Sequence, residues 1–383
     1  MIYLDHAATT PVFPGALEAA WPWLTSEFGN PSSTHEMGLR ASTALEDARR
    51  AIANWLEVSA HEVVFTSGGT EGNNLCVIGL ALAHPRGRHI ISARTEHEAV
   101  LGAVEFLERV HGFEVSWLDV DECGRIALEQ LDRELRDDTT LVTLMHANNE
   151  IGTIHPIAQI AHRVHSVGAL LHSDAVQSAA WLDIRPASLG VDALTVSGHK
   201  LGSPKGSGFV FLRRGVTVEP LLHGGGQEDD RRSGTENVAW AVALATAITA
   251  VVPSGEARDV EAARVAHLRN SLVLDVVAAV PEARVSGDPD SCLPSIVAFT
   301  FAGLNGESIL LELESRGVLV SSGAACAAGK DDPSHVLLAC GRTPDAARTA
   351  VRVSLAHTTT ETEVAEAARA LIDAVDHVRS LRR

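Results

Sequence analysis

The sequence predicts an α/β fold, a mainly parallel seven-stranded sheet flanked by helices, followed by a smaller α+β domain. Two observations carry this. Seven short apolar runs, at Glu62 to Phe65, His89 to Ser92, Val115 to Leu118, Leu141 to Met145, Ala169 to His172, Asp192 to Val196 and Gly208 to Leu212, are mostly separated by helical or loop-rich segments. That alternation is expected of parallel strands covered on both faces. Further on, Pro253-Ser254-Gly255 breaks an Ala-rich helical run, Thr235 to Val252, and the pattern beyond it is mixed.

In chain order, a short start rich in Thr and Pro leads into an amphipathic helix over Glu36 to Leu56, where Leu39, Leu45, Ala48, Ile52, Trp55 and Leu56 recur at helical spacing. The strand runs follow, with Pro156 suited to the first turn of a helix over Ile157 to Val167. After the break come a long helix (Val260 to Val280), a strand (Ser295 to Phe301), a helix opened by Asn305 and Glu307, and a small-residue loop (Ser321 to Gly329). A strand (Ala350 to Ser354) and a terminal helix from Thr360 close the chain. The expected division is a large domain over residues 15–254 and a small one over 255–383, completed by residues 1–14.

The 383 residues can bury a large core. With 49 acidic against 31 basic residues and a net charge of -18, direct nucleic-acid binding and attraction to anionic membranes are not expected. There is no apolar stretch long enough to span a bilayer, and the start lacks a basic region followed by an apolar one. A cytoplasmic location is the expectation. The five cysteines are scattered, show no CxxC pair and suggest neither a disulfide framework nor a metal site.

Four polar clusters each follow a predicted strand: Thr66 to Thr70, His146 to Glu150, Ser173 to Gln177 and Ser197 to Lys200. In an open parallel sheet these share the rim where ligands bind. Gly68 and Gly69 let the backbone approach an anion, Thr70 offers a hydroxyl, and a following helix would aim its amides there. Lys200, at the mouth of a buried strand, loses its proton more readily than a solvated lysine and can act as an amine nucleophile. A phosphate cup, an acid and a lysine on one rim are the minimum kit for pyridoxal phosphate. Asp174 is the candidate acid, although its local sequence suits a helix N-cap equally.

On these residues the sequence resembles the cysteine desulfurases of the NifS/IscS type, in the class V aminotransferase group. The matching stretches are Tyr3 to Pro11, Asn30 to Ser33, Thr66 to Asn74 (TSGGTEGNN), Thr95 to His97, His146 to Gly152 (HANNEIG), Ser173 to Gln177, Ser197 to Lys200, Arg232 to Asn237 (RSGTEN) and Ser321 to Cys326. The resemblance implies the type I fold of pyridoxal 5'-phosphate enzymes. Lys200 would hold the cofactor, Asp174 would pair with its pyridine nitrogen, Gln177 would meet the ring hydroxyl and His97 would stack on the ring, with Lys200 or His97 moving the substrate's Cα proton. Read without the family, His97 is a helix-start histidine. Gly69, Thr70, Ser197 and His199 would hold the phosphate, with Thr235 reaching it from the second subunit of a homodimer. Asn148 and Arg352 would receive the substrate carboxylate. Glu71 and Glu150 read as helix-start carboxylates.

Cys326 sits in Ser321-Ser322-Gly323-Ala324-Ala325-Cys326-Ala327-Ala328-Gly329, which has no large anchoring side chain, whereas Cys76 and Cys340 sit in apolar surroundings. The resemblance implies that L-cysteine gives up its sulfur to Cys326 as a persulfide and leaves as alanine. An acceptor protein would then take the sulfur: an iron–sulfur scaffold, or a tRNA or DNA thiolation enzyme. The loop resembles the long-loop class of direct donors, but Ala324, Ala327 and Ala328 stand where the common family loop, Ser-Gly-Ser-Ala-Cys-Ser/Thr-Ser, carries hydroxyl residues. Competing readings are a selenocysteine lyase, a small-amino-acid aminotransferase, or a non-catalytic scaffold of the same fold.

Overall fold

The computed structural model describes residues 1–84, 86–322 and 333–381. Its strands are β1 (Ile2–Tyr3), β2 (Val63–Thr66), β3 (His89–Ala93), β4 (Glu114–Leu118), β5 (Thr139–Thr143), β6 (Leu170–Asp174), β7 (Ala193–Ser197), β8 (Gly208–Leu212), β9 (Ala283–Ser286), β10 (Ile296–Phe301), β11 (Val318–Leu319) and β12 (Val351–Ser354). Seven of them make the central sheet, in the order β2-β8-β7-β6-β5-β3-β4. Every pairing is parallel except those of β8, which runs against both β2 and β7. β3, β5, β7 and β8 are buried at every position, as strands covered on both faces must be.

Six of the seven strands begin or end within two residues of the apolar runs read from sequence, and β8 matches its run. β5 departs furthest, beginning two residues early. There Thr139 exchanges a 2.8 Å hydrogen bond with the buried His89 ring and Thr140 donates to Gly87 O, so polar β-branched residues extend the strand beyond its apolar stretch.

The helix read over Glu36 to Leu56 forms as Glu36–Leu56 and ends in Glu57 at φ 58°. The proline-rich start hides a further helix, Pro14–Thr25. Its buried face is Ala16 and Ala20, set against Ala239, Ala243 and Ala247 of the helix Val238–Val251. Small residues at the contact leave no large apolar period to read, and Pro22 within the helix obscures it further.

After Val251 the chain turns into the helix Gly255–Ala279. β12-β10-β9 form an antiparallel three-stranded sheet, and β1 pairs with β11 in parallel. The terminal helix Glu361–Ser380 opens with a capping box between Thr360 and Glu363. Among the described residues no single helix is long and apolar enough to cross a membrane.

Candidate active site

β2, β5, β6 and β7 point the same way, so their carboxyl ends lie along one edge of the sheet. All four predicted polar clusters meet there. β2 leaves through Ser67-Gly68 into the helix Gly69–Asn74. Gly68 has φ 145° and ψ -171°, a region open in practice only to glycine. A methyl group on Gly72 would come within 2.7 Å of Thr195 Cγ2, so the absent side chain lets this helix lie directly on β7. The helical run continues through Leu75–Gly79 to Leu80–Ala83, and its first amides face the cup. Ser197 Cβ lies 3.5 Å from where a Gly69 Cβ would be, which brings the ends of β7 and of the first turn together. Thr70 is exposed beside them.

Asp174 ends β6, is 6% exposed, and accepts hydrogen bonds on both oxygens: Oδ1 from Val176 N at 2.8 Å and Oδ2 from Asn73 Nδ2 at 2.6 Å. Two donors fix the carboxylate in place. Asn73 was not singled out from sequence; it lies one helical turn after Gly69, inside the same motif. Behind Asp174 the buried His172 ring bridges Thr143 Oγ1 (2.8 Å) and Thr195 Oγ1 (3.0 Å), and burial pushes its pKa down to about 3. It is a neutral linker between strands. Cys76 packs against Thr195, and burial raises its thiol to about 12.

Lys200 follows β7 in the short turn Gly198–Lys200. Its ammonium donates to the carbonyls of Ala7 and Ala8, the latter at 2.7 Å. Gln177 Nε2 donates to the same Ala7 carbonyl at 2.9 Å. His199 shares a 3.2 Å contact with Thr9 Oγ1, and burial, with Lys200 and Lys205 nearby, pulls its pKa down to about 4. Residues 5–10 thus form a strap across the site; they lie inside the quoted stretch Tyr3 to Pro11, but their partners are distant in sequence. On its far side Asp5 Oδ1 accepts from Arg352 Nη2 at 2.9 Å and Ala7 N donates to Ser354 Oγ.

His97 caps the helix Glu98–His111, its Nδ1 accepting from Ala99 N at 3.1 Å. The cap places the proton of the neutral ring on Nε2. The helix-start reading and a stacking role are therefore compatible. Glu96, fully buried, accepts from Met145 N at 2.8 Å and has its pKa raised well above the ordinary value, by burial first and by the Asp174 charge.

Asn148 is committed inside its own turn. Its Oδ1 accepts from Glu150 N and Ile151 N, while Nδ2 donates to Thr95 O and Met145 Sδ. What that turn offers the site is the carbonyl of Asn149, which accepts from Arg352 Nη1 at 2.9 Å. Arg352 is 2% exposed. Glu71 stands in the first helical turn as expected, accepting from Ser67 N and pairing with Arg232. Glu150 does not start a helix; it lies in a turn and accepts from the Ser334 hydroxyl. Cys326 lies outside the described residues, as do Ala324, Ala327 and Ala328.

Thr235 is exposed and lines a hollow shared with Thr66 and Ser67. The segment before it makes a left-handed turn at Glu228, Asp229 and Asp230, with φ of 54°, 56° and 63°.

The donor set fits pyridoxal phosphate. A glycine-only backbone turn with helix amides and hydroxyls suits its phosphate, a fixed carboxylate suits a protonated ring nitrogen, and a lysine lies on the same rim.

Comparison with known proteins agrees. The sequence model of the class-V aminotransferase family matches residues 2–366. The cysteine desulfurase IscS of Dictyoglomus turgidum is 41% identical over 364 residues, covering 95% of this chain and 91% of that protein. Among solved structures, a NifS-like protein superposes with a TM-score of 0.90 at 34% identity, covering 98% of this chain and 99% of its own. SspA in complex with cysteine does so at 0.81 and 35%, covering 93% and 99%. A rim with this donor set, joined to likeness over nearly the full length, means that the chain belongs to the class-V aminotransferase family and, within it, to the pyridoxal-phosphate-dependent cysteine desulfurases.

Proposed function

We propose that this chain transfers the sulfur of L-cysteine to Cys326, releases alanine, and passes the persulfide sulfur to an acceptor protein. The observation that supports this best is the pairing of Ser321 with Arg352, whose backbones exchange bonds of 3.1 and 2.7 Å. The segment bearing Cys326 therefore departs beside the arginine read as the receptor of the substrate carboxylate. Cys326 is four positions beyond Ser322, and a chain extends at most ~3.6 Å per residue, so its reach is ~14 Å. The segment rejoins the framework where Ser334 meets Glu150 and His335 Nε2 donates to Glu96 O at 3.0 Å, one residue from His97.

The cofactor, when bound, supplies an electron sink that weakens the substrate's Cβ–S bond. Asp174 would pair with the ring nitrogen, His97 would stack on the ring, and Gly69, Thr70, Ser197 and His199 would hold the phosphate. Lys200 would anchor the cofactor, and Lys200 or His97 would move the substrate's Cα proton. Gln177 reaches the ring hydroxyl on giving up Ala7 O. Arg352 grips the α-carboxylate through two N–H groups, and Asn148 shapes the turn beside it. The Cys326 thiolate attacks the substrate sulfur; the S–S bond forms as Cβ–S breaks, the electron pair stays with the carbon fragment, and protonation completes alanine.

The working unit in this reading is a homodimer in which Thr235 reaches the phosphate of the second copy. Each subunit divides into a cofactor unit over residues 15–254 and a smaller unit over 255–383 with 1–14. The described cysteines are all free thiols, in keeping with work in the cytoplasm. The acceptor is an iron–sulfur scaffold or a tRNA or DNA thiolation enzyme.

The test uses two variants. C326A is expected to keep the cofactor's visible absorbance but to form neither persulfide nor alanine from L-cysteine; K200A is expected to lose that absorbance. Continued alanine release by C326A, with persulfide on another cysteine, would overturn the assignment.

A further inference from the structure

The arginine assigned to the substrate carboxylate already faces a carboxylate of its own chain. Asp5 Oδ1 lies 2.9 Å from Arg352 Nη2, with the aspartate side chain 20% exposed and the arginine 2%. The contact is made through one carboxylate oxygen, and Nη1 turns to the Asn149 carbonyl. Of the five N–H donors of a guanidinium, these contacts use one on each terminal nitrogen. Asp5 is held there independently of any ligand. Tyr3 Oη donates to its carbonyl at 3.0 Å, and a backbone bridge joins it to Ser354 on β12.

From this geometry we infer that Asp5 is a built-in counter-carboxylate that weakens the grip of Arg352 on the α-carboxylates of both substrate and product. The inference rests on the reading of Arg352 given above. Two carboxylates sharing one buried guanidinium repel each other through a medium far less screening than water, so the fixed one raises the dissociation constant of the mobile one. Substrate and product carry the same α-carboxylate, and a grip common to both does not speed the chemical step. An unopposed arginine would retain alanine as firmly as it recruits cysteine. Asp5 is a positioning residue of opposite sign to the usual kind: it sets how loosely the ligand is held.

The experiment compares the full-length, cofactor-loaded protein with D5N, which keeps an oxygen for Nη2 and removes only the charge. D5S serves as a second uncharged variant should D5N fold poorly. The readouts are KM for L-cysteine, the inhibition constant of L-alanine, and the inhibition constant of cysteamine, which lacks the carboxylate. In the uncharged variant the first two should fall together by about fivefold, the factor of a partly exposed ion pair, while the cysteamine constant stays put. A rise in both would show that Asp5 serves to orient Arg352, and no change would show that it is electrostatically silent; either result overturns the proposal. R352K separates the two levels. If it raises both carboxylate constants while D5N leaves them unchanged, only the role of Asp5 falls; if it moves neither, the role of Arg352 falls as well.

Discussion

The Arg49 guanidinium donates to both oxygens of Glu228, at 2.6 and 2.8 Å, and the two side chains are 9% and 2% exposed. Glu228 also accepts from Phe65 N at 3.0 Å. The pair fastens the left-handed turn at residues 228–230 to β2, and each non-glycine residue in that conformation costs about 1–2 kcal/mol. Removing one charge leaves the other buried. E228Q should lower the unfolding free energy by about 3 kcal/mol or more, measured by urea denaturation. A change under about 1 kcal/mol would mean that the turn holds its shape without the pair.

Acid should destabilise the protein well above the carboxylate range. Burial pushes His146 and His155 to about 4 and His172 to about 3, whereas in the unfolded chain each titrates near 6.5. Stability from these groups is complete above that value and is lost as pH falls toward their folded values. Each contributes a slope of about 1.4 kcal/mol per pH unit. Melting temperature should therefore drop steeply between pH 6 and 4.5, and H155Q should flatten the slope. A flat profile over that interval would contradict the burial argument.

Glu96 acts in the other direction. Burial, with the Asp174 charge, raises its pKa well above the ordinary value, so the native state keeps a proton that the unfolded chain gives up. Its stabilisation is full below the unfolded pKa and is lost as pH rises toward the folded one. E96Q keeps an oxygen for Met145 N and needs no proton, so it should melt above the parent by roughly 2 °C or more at pH 8. The gap should close toward pH 4.5. A lower melting point at pH 8 would indicate that Glu96 is ionised in the fold.

At Gly68 the constraint is conformational. A methyl group there has room, with Ser197 Oγ 3.7 Å away, but φ 145° is strained for any other residue, at about 1–3 kcal/mol. G68A should release pyridoxal phosphate on dialysis at least about tenfold more readily. Unchanged retention would show that the cup does not depend on this dihedral.

Much of the site is legible in sequence because it sits where strands end. Apolar runs mark β2, β5, β6 and β7, and the polar residues after them fall on one rim by topology alone. Asn73 and Glu96 lie inside quoted motifs, yet their roles depend on contacts with Asp174 and Met145, distant in sequence. The strap over residues 5–10 was harder still, since its partners Lys200, Arg352 and Ser354 are joined only by folding. The helix Pro14–Thr25 escaped because alanine-on-alanine packing has no apolar period, and Glu150 was misplaced because its partner is a serine far along the chain.

The strap carries a consequence for how the molecule is made. Ala7 and Ser354, bonded to each other, are 347 positions apart. At about 5–20 residues per second on the ribosome, the strap waits roughly 20–70 seconds for the arginine and serine that will hold it. No nascent chain that lacks Arg352 and Ser354 can assemble the site, so reactive sulfur chemistry cannot begin before both have been made.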